Sequence, residues 1–223
     1  DRTQFDPLSR INTFLHVNHT ERLTRLGVLL CINGTGILNS WLKKNTGAGL
    51  GYPEMNDLAA AVAPGSDGLT ILPFGNGAER MFKNKDIGSS VHGLNFNTHR
   101  QGHLYRAAQE SIAYSFRFGL EIMKETGINP TVIRAGESNM FLSKVFRDIL
   151  SSLTSTVITL YNTDGSVGAA RGAGIGCGFF RTEKEAFAGL KVTGSSEPDS
   201  RLSEIYDIKY MEWLDLLQNY LYE

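Results

Sequence analysis

TVIRAGESNMFLSKVFRDIL, residues 131–150, decides how this chain is read. It opens as a short apolar strand, turns through Ala135-Gly136 and continues with the spacing of an amphipathic helix. Gly136 lends the backbone freedom at the turn. Glu137, Ser138 and Asn139 then bring polar groups to the expected helix N-terminus. Unpaired N–H groups and the positive end of the helix dipole meet there, so a nucleotide can lie against it. The same combination of strand, glycine turn and polar helix start is also plain α/β architecture, and alone it names no function.

The segments around it repeat the alternation. Thr156 to Tyr161 reads as another strand, and Asp164 starts a helix of small residues, GSVGAARGAGIGCGFF. Upstream, Ile11 to Val17 and Gly27 to Ile32 read as two strands joined by a turn at 18–21. A helix runs from Gly34 or Thr35 to Asn45, and a second from Pro53 to Ala63, stopped by Pro64-Gly65. Leu69 to Leu72 is a short strand. Residues 73–98 read as one long irregular stretch, a length that marks functional loops. Thr98 is expected to cap a helix over 99–126, closed by Gly127. Residues 193–199 read as a polar linker before a C-terminal helix over 201–223. Residues 1–9 read as a linker, and the order ββ-α-α-β-α-β-α-β-α-α predicts an α/β sheet with helices on its faces.

With 41% apolar and 20% charged residues, the chain has the composition of a globular protein, and 223 residues suffice for one large core. A net charge of −1 excludes a strongly basic surface, so neither nucleic acid nor an anionic membrane is expected as partner. Cys31 and Cys177 read as buried, reduced thiols of a cytoplasmic protein. Tyr206, Tyr210 and Trp213 on the last helix suit packing on their own domain or on a second copy in a homodimer.

No Gly-x4-Gly-Lys-Ser/Thr loop occurs. Gly172-Ala173-Gly174-Ile175-Gly176-Cys177 fails the dinucleotide spacing at Cys177 and lies inside a helix, so its small residues serve close packing or the approach of a ligand. Asn33-Gly34-Thr35-Gly36 follows a strand and opens a helix: either a phosphate cradle of backbone N–H groups or a helix start with glycines for a tight turn. His99 and His103 stand four apart but lack a third ligand, so no metal site is assigned. Glu79 and Arg80, in the long loop, suit a substrate contact, an interdomain contact or a surface ion pair.

Four segments together resemble a known family: INTFLHVNH with RLGVLLCINGTGILNSWLKK; GLTILPFGNGAERM; THRQGHLYRAAQESIAYSFRFGLEIM; and VIRAGESNMFLSKVFRDI with YNTDGSVGAARGAGIGCG. They resemble, in family order, the C-terminal domain of an FGGY-class carbohydrate kinase, and are most similar to xylulose kinases. The resemblance implies one domain over 1–223 with the actin-like ATPase, ribonuclease H-like fold, a mixed central sheet with helices on both faces. It implies transfer of the ATP γ-phosphoryl group to a ketopentose such as D-xylulose, with ATP and Mg²⁺. Other sugars or polyols (ribulose, fuculose, rhamnulose, gluconate, glycerol) and a non-catalytic nucleotide-binding module are the alternatives. The ATP-binding positions it implies are Gly36, Ser40, Ala135, Gly136, Glu137, Asn139 and Met140. Ala135 replaces the glycine of many members, Glu137 replaces a small residue, and Ala78 separates Gly77 from Glu79. The catalytic base, the first phosphate loop and most of the sugar contacts are expected in a preceding domain, so no catalytic residue is assigned.

Overall fold

The computed structural model describes residues 5–222. Residues 1–4 of the expected linker, and Glu223, lie outside the described residues. Within the rest of that linker, Asp6 is buried and its carboxylate accepts the backbone N–H of Arg10 at 2.6 Å and its Nε at 3.0 Å.

The N-terminal strands β1 (Asn12–Leu15) and β2 (Leu26–Leu29) form an antiparallel hairpin. Both are shorter than their apolar runs, and the connection spans 16–25 rather than a four-residue turn. Helices α1 (Thr35–Thr46) and α2 (Tyr52–Ala60) follow, with Pro53 in the first turn of α2 as expected. Strand β3 (Thr70–Phe74) pairs antiparallel with β4 (Gly88–His92). This second hairpin corrects the reading of 73–98 as one irregular stretch. Gly88-Ser89-Ser90-Val91-His92 carries one strongly apolar side chain, so periodicity could not mark it; backbone pairing with β3 and the Ser89 Oγ bond to the Leu72 carbonyl (2.7 Å) hold it instead.

The central element is α3 (Gln101–Glu125), against which α1, α2 and β3 pack. Its N-cap is Arg100, not Thr98, and the Arg100 N–H is taken by Nδ1 of His103 at 3.1 Å. Its end is as expected: Gly127 has φ +84, Gly127 N–H donates to Lys124 O and Ile128 N–H to Met123 O.

The C-terminal half holds β5 (Val132–Gly136), α4 (Lys144–Thr154), β6 (Val157–Tyr161), α5 (Gly165–Gly176), the short α6 (Glu183–Ala186), β7 (Val192–Ser196) and α7 (Ser200–Tyr222). The sheet order is β5-β6-β7, with β5 and β6 parallel and β6 and β7 antiparallel, so this sheet is mixed. Strand β7 lies where a polar linker was expected; Val-Thr-Gly-Ser-Ser pairs at the sheet edge, where one side is open and little apolar content is needed.

Tyr206, Tyr210, Trp213 and Leu217 form one buried face of α7. Trp213 donates its indole N–H to the Ile71 carbonyl at 3.0 Å and stacks on Tyr210. These rings are therefore committed to the chain's own core and not to a second copy. The two cysteines are free, but they are exposed rather than buried as expected. Cys31 follows the end of β2, and Cys177 follows α5, a helix that buries none of its residues. Among the described residues no helix is long and apolar enough to cross a membrane.

Candidate nucleotide site

At the carboxyl ends of β5 and β6, Gly136 is registered opposite Tyr161, and Glu137 N–H donates to the Tyr161 carbonyl at 2.9 Å. Beyond Tyr161 the chain turns back, so that a Cβ built on Gly136 would run into the Thr163 carbonyl and the Cα of Asp164. Gly136 is thus needed for the close approach of two strand ends, not for an unusual turn. The left-handed residue of this turn is Asn139, with φ +52 and an exposed side chain.

Glu137, Ser138 and Asn139 do not open the long helix. A short 3-10 turn, Asn139–Leu142, intervenes, and α4 starts at Lys144 with Ser143 as its cap, Oγ accepting the Phe146 N–H at 3.3 Å. Ser143 Oγ also donates to Gln109 Oε1 at 2.7 Å, and Gln109 Nε2 donates to Asn56 Oδ1 at 3.1 Å. Gln109 is buried on α3, so this chain of bonds ties α2 through α3 to the turn after β5. Sequence reasoning missed it; Gln109 is one of several buried polar residues of α3, with Arg106, Glu110, Ser111 and Ser115, and no spacing set it apart. Ala135 and Met140 are buried in the main core and form the floor under this turn.

The second strand end leads into α5. Asp164 caps it, accepting Val167 N–H at 2.9 Å and the Ser166 hydroxyl at 2.6 Å. The Ser166 hydroxyl first, then the Val167 N–H, hold this carboxyl below its ordinary range. A Cβ on Gly165, Gly168 or Gly172 would meet nothing within 4 Å. Close packing on the sheet is thus not what the small residues of α5 serve; its backbone is open to approach. A crevice outside the carboxyl ends of adjacent parallel strands is where open α/β sheets bind ligands.

Around α1, Glu79 is fully buried, and its carboxylate accepts Asn33 N–H at 3.0 and 3.1 Å and Gly34 N–H at 3.1 Å. Burial raises its pKa, and those two N–H groups work against the rise. Gly34 has no room for a Cβ, which would collide with the Pro73 carbonyl. Of the two readings of Asn33-Gly34-Thr35-Gly36, the geometry favours a tight helix start: Glu79 occupies the N–H groups of Asn33 and Gly34 that a phosphate would need. Gly36 faces open space. Ser40 lines a hollow of about 450 Å³ with Lys43, Lys44, Gly51 and Tyr52. Arg80 Nε donates to the Ser9 carbonyl at 2.8 Å.

The His99 and His103 rings lie side by side, but each nitrogen has a partner. Nδ1 of His99 and of His103 accept the N–H of Asn95 and Arg100, while the Nε2 atoms meet Asp67 O at 3.2 Å and Asp67 Oδ2 at 3.1 Å. No group of three His, Cys, Asp or Glu side chains able to hold a metal exists among the described residues.

Residues 18–177 match the FGGY family of carbohydrate kinases, C-terminal domain. A xylulose kinase of Haemophilus influenzae is 32% identical over 102 residues, covering 44% of this chain and 20% of that protein. A glycerol kinase of Paenarthrobacter aurescens is 28% identical over 194 residues, 81% of this chain and 38% of that protein. The crystal structure of xylulose kinase from Rhodospirillum rubrum superposes on 98% of this chain and 44% of that one, with a TM-score of 0.75 and 26% identity. The chain spans less than half the length of the curated relatives it matches.

Proposed function

Because this chain belongs to the FGGY family of carbohydrate kinases, with its match in the C-terminal domain, we propose that it is the ATP-binding domain of a cytoplasmic kinase for a ketopentose. The reaction is transfer of the γ-phosphoryl group of ATP to D-xylulose, giving ADP and D-xylulose 5-phosphate. In this reading residues 1–223 form one domain. The observation that carries it is the junction of Gly136 with Thr163 and Asp164 at the ends of parallel β5 and β6, inside the family-matched stretch.

Each proposed ATP residue has a role its placement allows. Gly136 lets the chain after β6 close against the end of β5 and so shapes the strand-end crevice where the nucleotide would lie. Asn139, held left-handed and exposed, offers its side-chain amide to the base. Glu137 stands exposed beside it, and Ala135 and Met140 keep the floor rigid from below. Gly36 and Ser40 flank the α- and β-phosphates from α1. The glycine surface at Gly136 and the open start of α5 fit a nucleotide. Mg²⁺ would be carried chiefly by the phosphate oxygens of ATP. When bound, Mg²⁺ would neutralise charge on the transferred phosphoryl group.

Phosphoryl transfer also needs a carboxylate to accept the proton of the sugar hydroxyl, and that group is proposed to lie in another part of the longer polypeptide. There the sugar would sit, and closure over the nucleotide would exclude water. Arg80, on the loop that reaches the start of the chain, suits contact with that part.

A polyol acceptor is the second reading, favoured by the match to a glycerol kinase. Calorimetric titration of this chain with ADP, and a coupled ADP-release assay on the full polypeptide with D-xylulose, ribulose, gluconate and glycerol, test both. Micromolar ADP binding with turnover of one acceptor is expected. No ADP binding would overturn the nucleotide assignment, and turnover on glycerol alone would select the second reading.

A further inference from the structure

We propose that Tyr52 is a further wall of the nucleotide site and that its ring stacks on the purine base, an inference that rests on the nucleotide reading above. Tyr52 opens α2 after the glycine-rich loop 47–51, and Pro53 restricts the backbone just behind it. Tyr52 lines two hollows, each bordered by a segment assigned to the nucleotide or continuous with one. On one side it lines the hollow of about 450 Å³ that contains Ser40. On the other it lines a hollow of about 1060 Å³ with Leu142, the last residue of the turn that begins at Asn139, and Lys144, the first of α4. Tyr52 is common to both, so a ligand reaching from α1 to the turn after β5 passes its ring.

Tyr52 is 40% exposed, so the residue is not sealed in the core. The Lys43 ammonium lies 4.3 Å from its centroid. A cation held over an aromatic ring steadies that ring, and it sets positive charge beside Ser40, where an anionic ligand is expected. The backbone that carries the ring is also held. Met55 and Ala59 anchor α2 in the core, and Asn56, one turn beyond Tyr52, is bonded through Gln109 to Ser143. The separation of Tyr52 from the turn carrying Asn139 is therefore fixed by the same bonds that position that turn. A tyrosine that merely packs under a surface lysine would share the Lys43 contact. It would not need to lie on both hollows or be registered to the site.

The test uses the whole chain and ADP as probe, with calorimetry for affinity and etheno-ADP fluorescence for stacking. Tyr52→Ala is expected to weaken ADP binding by about tenfold or more, the scale of one base–aromatic stack, and to abolish the change in etheno-adenine emission. Tyr52→Phe is expected to keep both. Tyr52→Leu, which retains apolar bulk, should behave like the alanine variant and separates stacking from loss of packing. Gly136→Leu serves as the benchmark. If Gly136→Leu loses ADP while Tyr52→Ala and Tyr52→Leu bind like the parent, Tyr52 is not part of the site and the nucleotide reading stands. If the parent chain does not bind ADP, both fall.

Discussion

The side chain of Glu79 accepts the backbone N–H of Gly34 across 3.1 Å, although forty-five positions separate them in sequence. The same carboxylate takes the N–H of Asn33, so one buried acid fixes the chain entering α1 against the end of β3. Glu79 thereby sets where Gly36 and Ser40 stand. Glu79→Ala would leave two backbone donors without their partner, one of them buried, and cost about 1–3 kcal/mol. Urea denaturation checks the magnitude. Hydrogen exchange should accelerate first at Asn33 and Gly34, and the ADP affinity should fall with it.

Gly136→Ala is expected to act on binding more than its size suggests. The added methyl would meet the Thr163 carbonyl, which is backbone and cannot rotate away. Strands β5 and β6 must then separate at the end where the nucleotide is proposed to lie. An exposed Gly→Ala at Gly176, at the far end of α5 where a Cβ meets nothing, is the control and should be neutral or slightly stabilising. Calorimetric ADP titration of the two variants should separate them by at least about tenfold; equal affinities would remove Gly136 from the site.

What the sequence revealed depended on how each segment is stabilised. Helix α3 was legible because its buried positions keep a helical period, and its end was legible because Gly127 supplies a positive φ. Strands β4 and β7 were not, because Ser, Gly and Thr dominate them and pairing, not burial, holds them in place. The start of α4 was misplaced for a related reason. Glu137, Ser138 and Asn139 look like caps, but the cap is Ser143, chosen by its bond to the buried Gln109 on a distant helix. At the proposed site, the motif residues Gly36, Gly136 and Asn139 could be named from the resemblance. The supporting Asn56–Gln109–Ser143 chain and Tyr52 could not, since their relation exists only once α2, α3 and α4 have packed.

Arg106 and Glu110 form a buried pair at 2.9 Å, and the carboxylate also accepts Gly65 N–H at 2.8 Å and the Ser66 hydroxyl at 2.9 Å. Arg106 reaches the Tyr206 hydroxyl at 2.5 Å, the Ala59 carbonyl at 3.4 Å and the Val62 carbonyl at 3.1 Å, so the pair links the end of α2, α3 and α7. Desolvation pushes the Glu110 carboxyl up, with the Arg106 charge opposing it. Removing one partner strands the other's charge. Arg106→Met is expected to cost about 3–5 kcal/mol, read from denaturant midpoints. The double variant Arg106→Met/Glu110→Gln should be less destabilised than the sum of the singles, which a double-mutant cycle measures.

Acid should release the start of the described chain before the rest. Hydrogen bonds from the Arg10 guanidinium, followed by the N–H groups of Arg10 and Leu8, pull the Asp6 carboxyl from 3.8 down to about 2 against the effect of burial. Its folded pKa is lower than its unfolded one, so the unfolded chain binds the proton more readily. The stabilisation is therefore complete above about pH 4 and is lost as the pH falls toward about 2. Arg10 also reaches Glu125 at the end of α3, at 2.6 Å, so losing Asp6 frees a contact between the N-terminal segment and that helix. Asp6→Asn should lower the urea midpoint at pH 7 and have little effect at pH 2, with the two pH curves converging between those limits. A parallel offset across the whole range would mean that Asp6 acts by packing and not by charge.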